Sequence, residues 1–284
     1  MFVARAGDFL VEAERDLDRT ADYRCPVCGR PAVLKPSRVK VAHFAHADGA
    51  DCPASGHEGP DHLAAKRILS QRFRDLGYTV RAEETFGWER RVDLAVAMPD
   101  GCCIAVEVQD SPIPVDEMKQ RMRVDQDNGF VATLWVWIGR REQQLRQAEM
   151  DGEGRIANEV RWLANRMDVG VFALPIDYDD LADGVVEPLL PRRYTFDDVY
   201  REGHEASWFE SGVEVGVSYA DRTLRATKQA ASEPCGFDMY VIPGRYHSPR
   251  KADWTVVLGK RLPRRSWDPP CSEDRDEPTG FWEQ

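Results

Sequence analysis

Two strand-like runs joined by three turn residues constrain this chain more than any other feature. Arg91-Val92-Asp93-Leu94-Ala95-Val96-Ala97-Met98 and Cys102-Cys103-Ile104-Ala105-Val106-Glu107-Val108-Gln109 flank Pro99-Asp100-Gly101. A three-residue hairpin loop is typically a type I turn followed by a left-handed residue, which suits Pro at the first position and Gly at the third. With Met98 opposite Cys102, Asp93 faces Glu107 and Gln109 lies one pleat further along the same face. A slip by one residue would destroy that pairing. Carboxylates opposed across a sheet destabilise it, and burial raises the pKa of one of them, unless something compensates the charge. A divalent cation with oxygen ligands is the usual compensation, and Mg2+ or Mn2+ held in this way can activate water against a phosphodiester. The spacing makes a metal-dependent nuclease core around Asp93 and Glu107 a candidate, although acids on the solvent face of an ordinary hairpin give the same pattern.

Directly upstream lies a cysteine and histidine cluster. Cys25-Pro26-Val27-Cys28-Gly29 is followed by His43-Phe44-Ala45-His46 and by Cys52. A CxxC turn presents two thiolates to one ion from a tight loop, and a second pair must come from a facing hairpin to complete a tetrahedron. Five residues compete for four places. His43 and His46 are three apart, so in a regular strand they point to opposite faces. The reading favours Cys25, Cys28, His46 and Cys52, with His43 as the substitute. Four protein ligands leave no open position, so the expected role is a structural Zn2+ in a zinc ribbon. The N-terminal runs Phe2–Arg5 and Phe9–Glu12 read as a short hairpin around Gly7-Asp8.

From Asp61 the apolar residues Leu63, Ala64, Ile68, Leu69, Phe73 and Leu76 recur with helical spacing until Gly77. Pro60 is tolerated only in a first turn, which puts Glu58 at or just before the helix start. His62 and Lys66, spaced by four, share a face with Glu58 near its head. The same spacing also describes an ordinary solvated face. Val115–Gln126 reads as a polar helix, with Lys119, Arg121 and Arg123 within reach of phosphate. Val131–Ile138 reads as a buried strand whose tryptophans belong to the core. Helices near Arg141–Met150 and Glu159–Arg166 follow, and Val169–Leu174 is expected to complete the sheet. Beyond Pro175 there is no motif, only strand-like runs at Val213–Tyr219, Met239–Ile242 and Trp254–Leu258.

Charge refines the class of partner. The net charge of −11 argues at first against nucleic acid. Residues 176–210 and 268–284 carry −7 and −5 of it, which leaves +1 on the rest. Between Asp22 and Asp48 stand Arg24, Arg30, Lys35, Arg38 and Lys40 with no acid, a local positive face that suits phosphate. A solvated charged face explains that stretch equally well. No apolar run reaches the length of a membrane span, the N-terminus lacks a signal-peptide core, and a metal-type cysteine pattern fits a reducing cytosol. The expected organisation is a zinc-ribbon-like module over 1–54, a nuclease-like domain over 55–175, a C-terminal accessory region over 176–268 and an acidic, disordered tail over 269–284.

Taken together, Tyr23-Arg24-Cys25-Pro26-Val27-Cys28, His43-Phe44-Ala45-His46, Glu58-x3-His62-x3-Lys66, Arg91-Val92-Asp93, Glu107-Val108-Gln109-Asp110-Ser111 and Trp135-Val136-Trp137-Ile138-Gly139 resemble the CoiA-like competence proteins. The resemblance covers roughly residues 1–175 and keeps the motif order. It implies an α/β (α+β) fold: a zinc ribbon, a PD-(D/E)XK restriction-endonuclease-like core and, beyond them, a β-containing C-terminal extension. It also implies that Asp93 and Glu107 are the metal-binding acids, that Glu58 is the helix-borne acid, and that Gln109 takes the slot of the superfamily's lysine. Glutamine carries no charge, so Lys66 or a downstream arginine has to supply it. His62, Lys119, Arg121, Arg38 and Lys40 are the residues expected to meet DNA.

Two function classes follow. One is a cytoplasmic Mg2+-dependent deoxyribonuclease acting on single-stranded or branched DNA in uptake, recombination or repair. The other is a non-enzymatic DNA-binding or recombinase-recruiting protein on a nuclease fold. A strand-exchange recombinase and a second copy of the chain are the candidate protein partners, and no membrane is expected.

Overall fold

The computed structural model describes residues 1–36, 41–48, 52, 58–86, 90–99, 101–151, 156–166, 171–176, 190–199, 205–210, 213–219, 227–243 and 254–259. The first module is a five-stranded antiparallel sheet built from β1 (Val3–Ala6), β2 (Phe9–Glu12), β3 (Tyr23–Arg24), β4 (Pro31–Lys35) and β5 (His43–His46), in the order β2-β1-β3-β4-β5. The expected N-terminal hairpin forms with Val3 opposite Glu12 and Ala6 opposite Phe9. The module has a small core of its own, in which Tyr23 and Phe44 stack at 4.9 Å beside Ala4 and Leu34. Arg38 and Lys40 lie outside the described residues, as does the tail expected over 269–284.

A 16-residue helix, α1 (Pro60–Asp75), opens the second module behind Gly59 as N-cap. It buries Leu63, Ala64, Ile68, Leu69 and Phe73 of the predicted stripe, while Leu76, the C-cap, is exposed. Then come β6 (Thr79–Ala82), the short pair β7 (Thr85–Phe86) and β8 (Arg90–Arg91), β9 (Leu94–Ala97) and β10 (Cys103–Gln109). The remaining core elements are α2 (Val115–Asp127), β11 (Ala132–Trp137), α3 (Gly139–Met150), α4 (Asn158–Arg166) and β12 (Val171–Ala173). Strands β10, β11 and β12 run parallel, while β6, β9 and β10 are antiparallel. Parallel pairing needs a helical crossover, and α2 supplies the one from β10 to β11. Every residue of β11 is buried, as expected of a strand covered on both faces.

The key hairpin adopts the expected register. Ala97 pairs with Cys103 and Leu94 with Val106, and Met98 N–H donates to the Cys102 carbonyl at 2.8 Å. Asp93 stands one residue beyond the last ladder pair, so its side chain is placed by the bend before β9 and not by the sheet.

The sheet does not end at β12. Strand β13 (Arg192–Val199) pairs antiparallel with β12, and β16 (Thr227–Pro234) pairs with β13, giving seven strands in the order β16-β13-β12-β11-β10-β9-β6. A hairpin of β14 (Glu205–Glu210) and β15 (Val213–Tyr219) separates them in sequence, and β17 (Met239–Pro243) pairs with β18 (Trp254–Leu258). Phe237, Met239, Val241 and Val256–Leu258 join the same apolar core as α1 and the sheet, together with Phe2 and Val3 from β1 and the residue before it. The two modules thus share packing. Arg74 of α1 also donates to Glu12 at 2.9 Å, and Arg67 to the Ala13 carbonyl. Among the described residues no helix is long and apolar enough to cross a membrane.

Gly101 has φ +83°, and a Cβ added there meets nothing within 4 Å. Gly101→Ala therefore strains only the backbone, and urea unfolding should show a loss of about 1 kcal/mol.

Candidate active site and metal centre

The cysteine cluster is assembled by local turns. Cys25 follows β3 directly, and the CxxC loop closes with Gly29 N–H on the Cys25 carbonyl at 2.9 Å and Cys25 N–H on the Arg30 carbonyl at 2.8 Å. Strand β5 delivers His46 opposite Ala32 on β4. The donor atoms of Cys25, Cys28, His46 and Cys52 all lie within 4.8 Å of one another. Cys25 Sγ stands 3.9 Å from Cys52 Sγ, and Cys28 Sγ 3.2 Å from His46 Nε2. Two thiolates bound to one tetrahedral zinc stand about 3.8 Å apart, so the donor set can hold a structural metal such as zinc. Burial pushes the Cys25 thiol up to about 11. For Cys28, burial works against ionisation, but the Arg30 amide and then the His46 ring outweigh it and bring the thiol down to about 7. His43, at the other end of β5 opposite Lys35, stays outside the cluster and faces the Val41 carbonyl at 3.3 Å.

The second centre forms where the head of α1 meets the hairpin. Lys66 has no exposed surface, which rules out the solvated-face reading of its spacing. A buried ammonium needs anionic partners, because the penalty for an unpaired charge exceeds any gain from packing its stem. It has three: Glu83 at 2.6 Å, Glu58 at 3.0 Å and Asp93 at 3.8 Å. His62, one turn earlier, places Nε2 at 2.9 Å from the Val108 carbonyl and 3.3 Å from Asp93 Oδ2. Asp93 Oδ2 also accepts Val108 N–H at 2.9 Å. Burial disfavours charge on His62, but the Asp93 carboxylate outweighs it and lifts the imidazolium to about 9. Asp93 is driven the other way: burial opposes ionisation, yet His62 and then Lys66 hold its carboxyl well below the usual range. Glu83 behaves likewise, falling to about 2 under Lys66 and Arg91 against the cost of burial.

Glu107 sits on the adjoining strand in a different setting. Arg90 Nη2 donates to its Oε1 at 2.8 Å and Arg121 Nη1 to its Oε2 at 3.0 Å. Arg90 continues to Asp125 at 2.7 and 3.0 Å, and Thr133 Oγ1 donates to Asp125 Oδ2 at 2.8 Å. Burial and the Asp93 charge raise the Glu107 carboxyl, against the two arginines. The like charges of Asp93 and Glu107 are thus compensated by guanidinium and ammonium groups. The ion pairs form two adjoining sets, Glu58, Glu83 and Asp93 with His62, Lys66 and Arg91, and Glu107, Asp125 and Glu117 with Arg90 and Arg121, coupled through the charge of Asp93 on Glu107.

The structure brings together Glu58, His62, Lys66 and Asp93, and places Glu107 beside them with both oxygens engaged. Gln109 does not reach the acids: its amide donates to the Ser111 carbonyl at 2.8 Å and Oγ at 3.2 Å. Lys66 is therefore the positive charge next to the acids. Arg121 spans Glu107 and Glu117, and Lys119 pairs with Asp116 at 2.9 Å on an exposed turn. Sequence reasoning missed Glu83, Arg90 and Asp125, whose charged hydrogen-bond partners are 17 to 35 residues away. Arg91, quoted in the motif, had no role assigned, and it donates to Glu58 at 3.0 Å. The pair Arg90-Arg91 just before Asp93 was the one available signal, since two cations beside an acid that is to be buried are expected counter-charges.

Glu58 Oε2 is buried and has no hydrogen-bond partner among the described residues, and Glu58, His62 and Asp93 offer ligand atoms within 4.8 Å of one another. An orphaned carboxylate oxygen next to a second carboxylate suits a hard cation such as Mg2+ or Mn2+.

Two family models match the chain. The model for the competence protein CoiA N-terminal domain matches residues 10–55, and that for the CoiA nuclease-like domain matches residues 58–153. No curated protein and no solved structure gives a match.

Two measurements test the cysteine cluster and the buried charge centre. Purified protein should carry about one zinc by elemental analysis, lost in the Cys25→Ala/Cys28→Ala variant together with a lower unfolding temperature. Stability should also depend on pH in two windows. Glu83 has a depressed pKa, so its contribution is present above 4.5 and is lost as pH falls toward 2. His62 has a raised pKa, so its contribution is present below 6.5 and is lost as pH rises through 9. Thermal unfolding from pH 2 to 10 (about the range any buffer series spans) should show both slopes, with the alkaline one absent in His62→Gln.

Proposed function

We propose that this chain, which belongs to the family of CoiA-like competence proteins, is a metal-dependent deoxyribonuclease acting on single-stranded or branched DNA in the cytoplasm. The observation that carries the reading is the convergence of Glu58 and Asp93 on one buried lysine, beside a Glu58 oxygen that has no partner. Glu58 stands just before the N-cap of α1 and Asp93 just before β9, so the two acids come from different segments of the chain. Glu58 and Asp93 would hold Mg2+ or Mn2+, with Glu107 joining them where a guanidinium yields one of its oxygens. When bound, such an ion supplies an activated water and neutralises phosphate charge.

The chain's own residues would do the rest. Lys66 would stabilise charge developing on the phosphate, the task that Gln109 cannot perform. His62, charged at neutral pH, would donate to a non-bridging oxygen. Arg121, about one-third exposed, stands at the rim where it can exchange Glu107 for a DNA phosphate. A strand-exchange recombinase is the protein partner that uptake and recombination would call for.

One observation favours a second reading, a non-enzymatic DNA-binding or recombinase-recruiting protein. Both Glu107 oxygens are taken by arginines, so the acids are neutralised with no metal required.

Labelled single-stranded, duplex and branched DNA incubated with Mg2+ or Mn2+ separates the two. The nuclease reading expects cleavage that stops with EDTA and falls at least about a hundredfold in Asp93→Ala and Glu58→Ala. Equal trace activity in wild type and both variants would leave the binding protein as the answer.

A further inference from the structure

Glu83 belongs to neither the hairpin pair nor the quoted motifs, yet it has the most constrained setting in the centre. It follows β6 directly, and its N–H donates to the Asp93 carbonyl at 2.9 Å. Its φ of +54° is the one left-handed value at a non-glycine among the described residues. Steric repulsion at Cβ opposes that conformation, so the surroundings must hold it. Residues held in this way gather at functional sites.

Those surroundings come from both modules. Glu83 Oε1 accepts Phe2 N–H at 2.9 Å and the Lys66 ammonium at 2.6 Å. Oε2 accepts Val3 N–H at 3.4 Å and lies 4.0 Å from Arg91 Nη1. The Phe2 ring stands 5.9 Å from Lys66 Nζ. The ammonium is therefore shared, with Glu83 on one side and Glu58 and Asp93 on the other. With no exposed surface it cannot turn to water. Without Glu83 its full charge would fall on Glu58 and Asp93, the two acids whose oxygens a metal needs.

We propose that Glu83 is a positioning residue that draws the Lys66 ammonium to itself and so frees Glu58 and Asp93 to bind a divalent cation. Phe2 and Val3 set Glu83 through their amides, which makes the N-terminal strand part of the site. The inference rests on the nuclease reading above. It differs from a purely structural role, in which Glu83 serves only as the counter-charge that lets Lys66 be buried and metal affinity is indifferent to it.

The test is Mn2+ binding to the full chain, without DNA, followed by the electron paramagnetic resonance signal of the free ion. Wild type, Glu83→Gln, Lys66→Met, the double variant and Asp93→Ala are compared, with unfolding temperatures recorded for each. Wild type should bind Mn2+ in a manner lost in Asp93→Ala, and Glu83→Gln should bind about tenfold more weakly or worse. Lys66→Met and the double variant should bind alike, since no ammonium remains for Glu83 to hold. A Glu83→Gln variant that binds like wild type overturns the proposal and leaves the nuclease reading intact. An equal fall in both backgrounds overturns it too, because it reports only the loss of one negative charge. Wild-type binding that is absent, or is indifferent to Asp93→Ala, overturns the metal site and the proposal with it. Should Glu83→Gln not fold, Glu83→Asp, whose shorter carboxylate cannot keep the 2.6 Å bond to Lys66, takes its place and should also weaken Mn2+ binding, and wild-type affinity there overturns the proposal.

Discussion

A lysine ammonium shut away from water has to be surrounded by carboxylates, and in this chain that requirement draws together elements far apart in sequence. Lys66 lies on α1, Glu83 follows β6, Asp93 precedes β9, and Glu58 stands before the helix. Each of these acids is itself nearly buried and needs the lysine as much as the lysine needs it. Breaking one partner of such a group typically costs about 3–5 kcal/mol, a large fraction of a domain's stability. The network is therefore a structural commitment as well as a chemical one. It also ties the N-terminal module to the nuclease-like one, because the carboxylate that takes the shortest bond from Lys66 accepts the amides of Phe2 and Val3.

How much of this could be read from sequence depends on the range of each interaction. The hairpin register was legible because Pro99 and Gly101 set the turn, and the turn counts residues outward to Leu94 and Val106. The cysteine cluster was legible because Cys25 and Cys28 share one loop, and because strand parity separates His43 from His46. The helix stripe from Leu63 to Phe73 was legible for the same reason: local periodicity maps directly onto burial. Lys66 was not. A lysine four residues from a histidine reads the same on a solvated face and in a buried network, and only the fold tells them apart. Glu83 was less legible still, since no pattern within the strand signals a left-handed acid.

The C-terminal part shows the same limit from another side. Strands β13 and β16 carry polar and charged residues and no motif, so nothing local announces that they extend the main sheet. What decides it is the edge of β12, whose open ladder favours being paired. Ser232 on β16 then accepts hydrogen bonds from Arg192 and binds Glu149 of α3 at 2.7 Å, so the extension grips the core through polar contacts that hydrophobic periodicity does not record.

The charge count of the centre bears on what it can do. Asp93 and Glu107 were expected to need a divalent cation because opposed carboxylates repel. The structure meets that need with Arg90, Arg121, Lys66 and His62, so repulsion between the two acids no longer argues for a metal. The case for one shifts to a different atom, the buried Glu58 oxygen without a partner, and to whether Lys66 leans toward Glu83 or toward Glu58 and Asp93. At separations near 4 Å a unit charge is worth about 4 kcal/mol at the effective dielectric of a protein surface. A displacement of the ammonium by a fraction of that distance is enough to change what the two acids offer to an incoming cation. The function of the centre thus turns on the balance around one buried lysine and only secondarily on the pair of acids that the sequence displays.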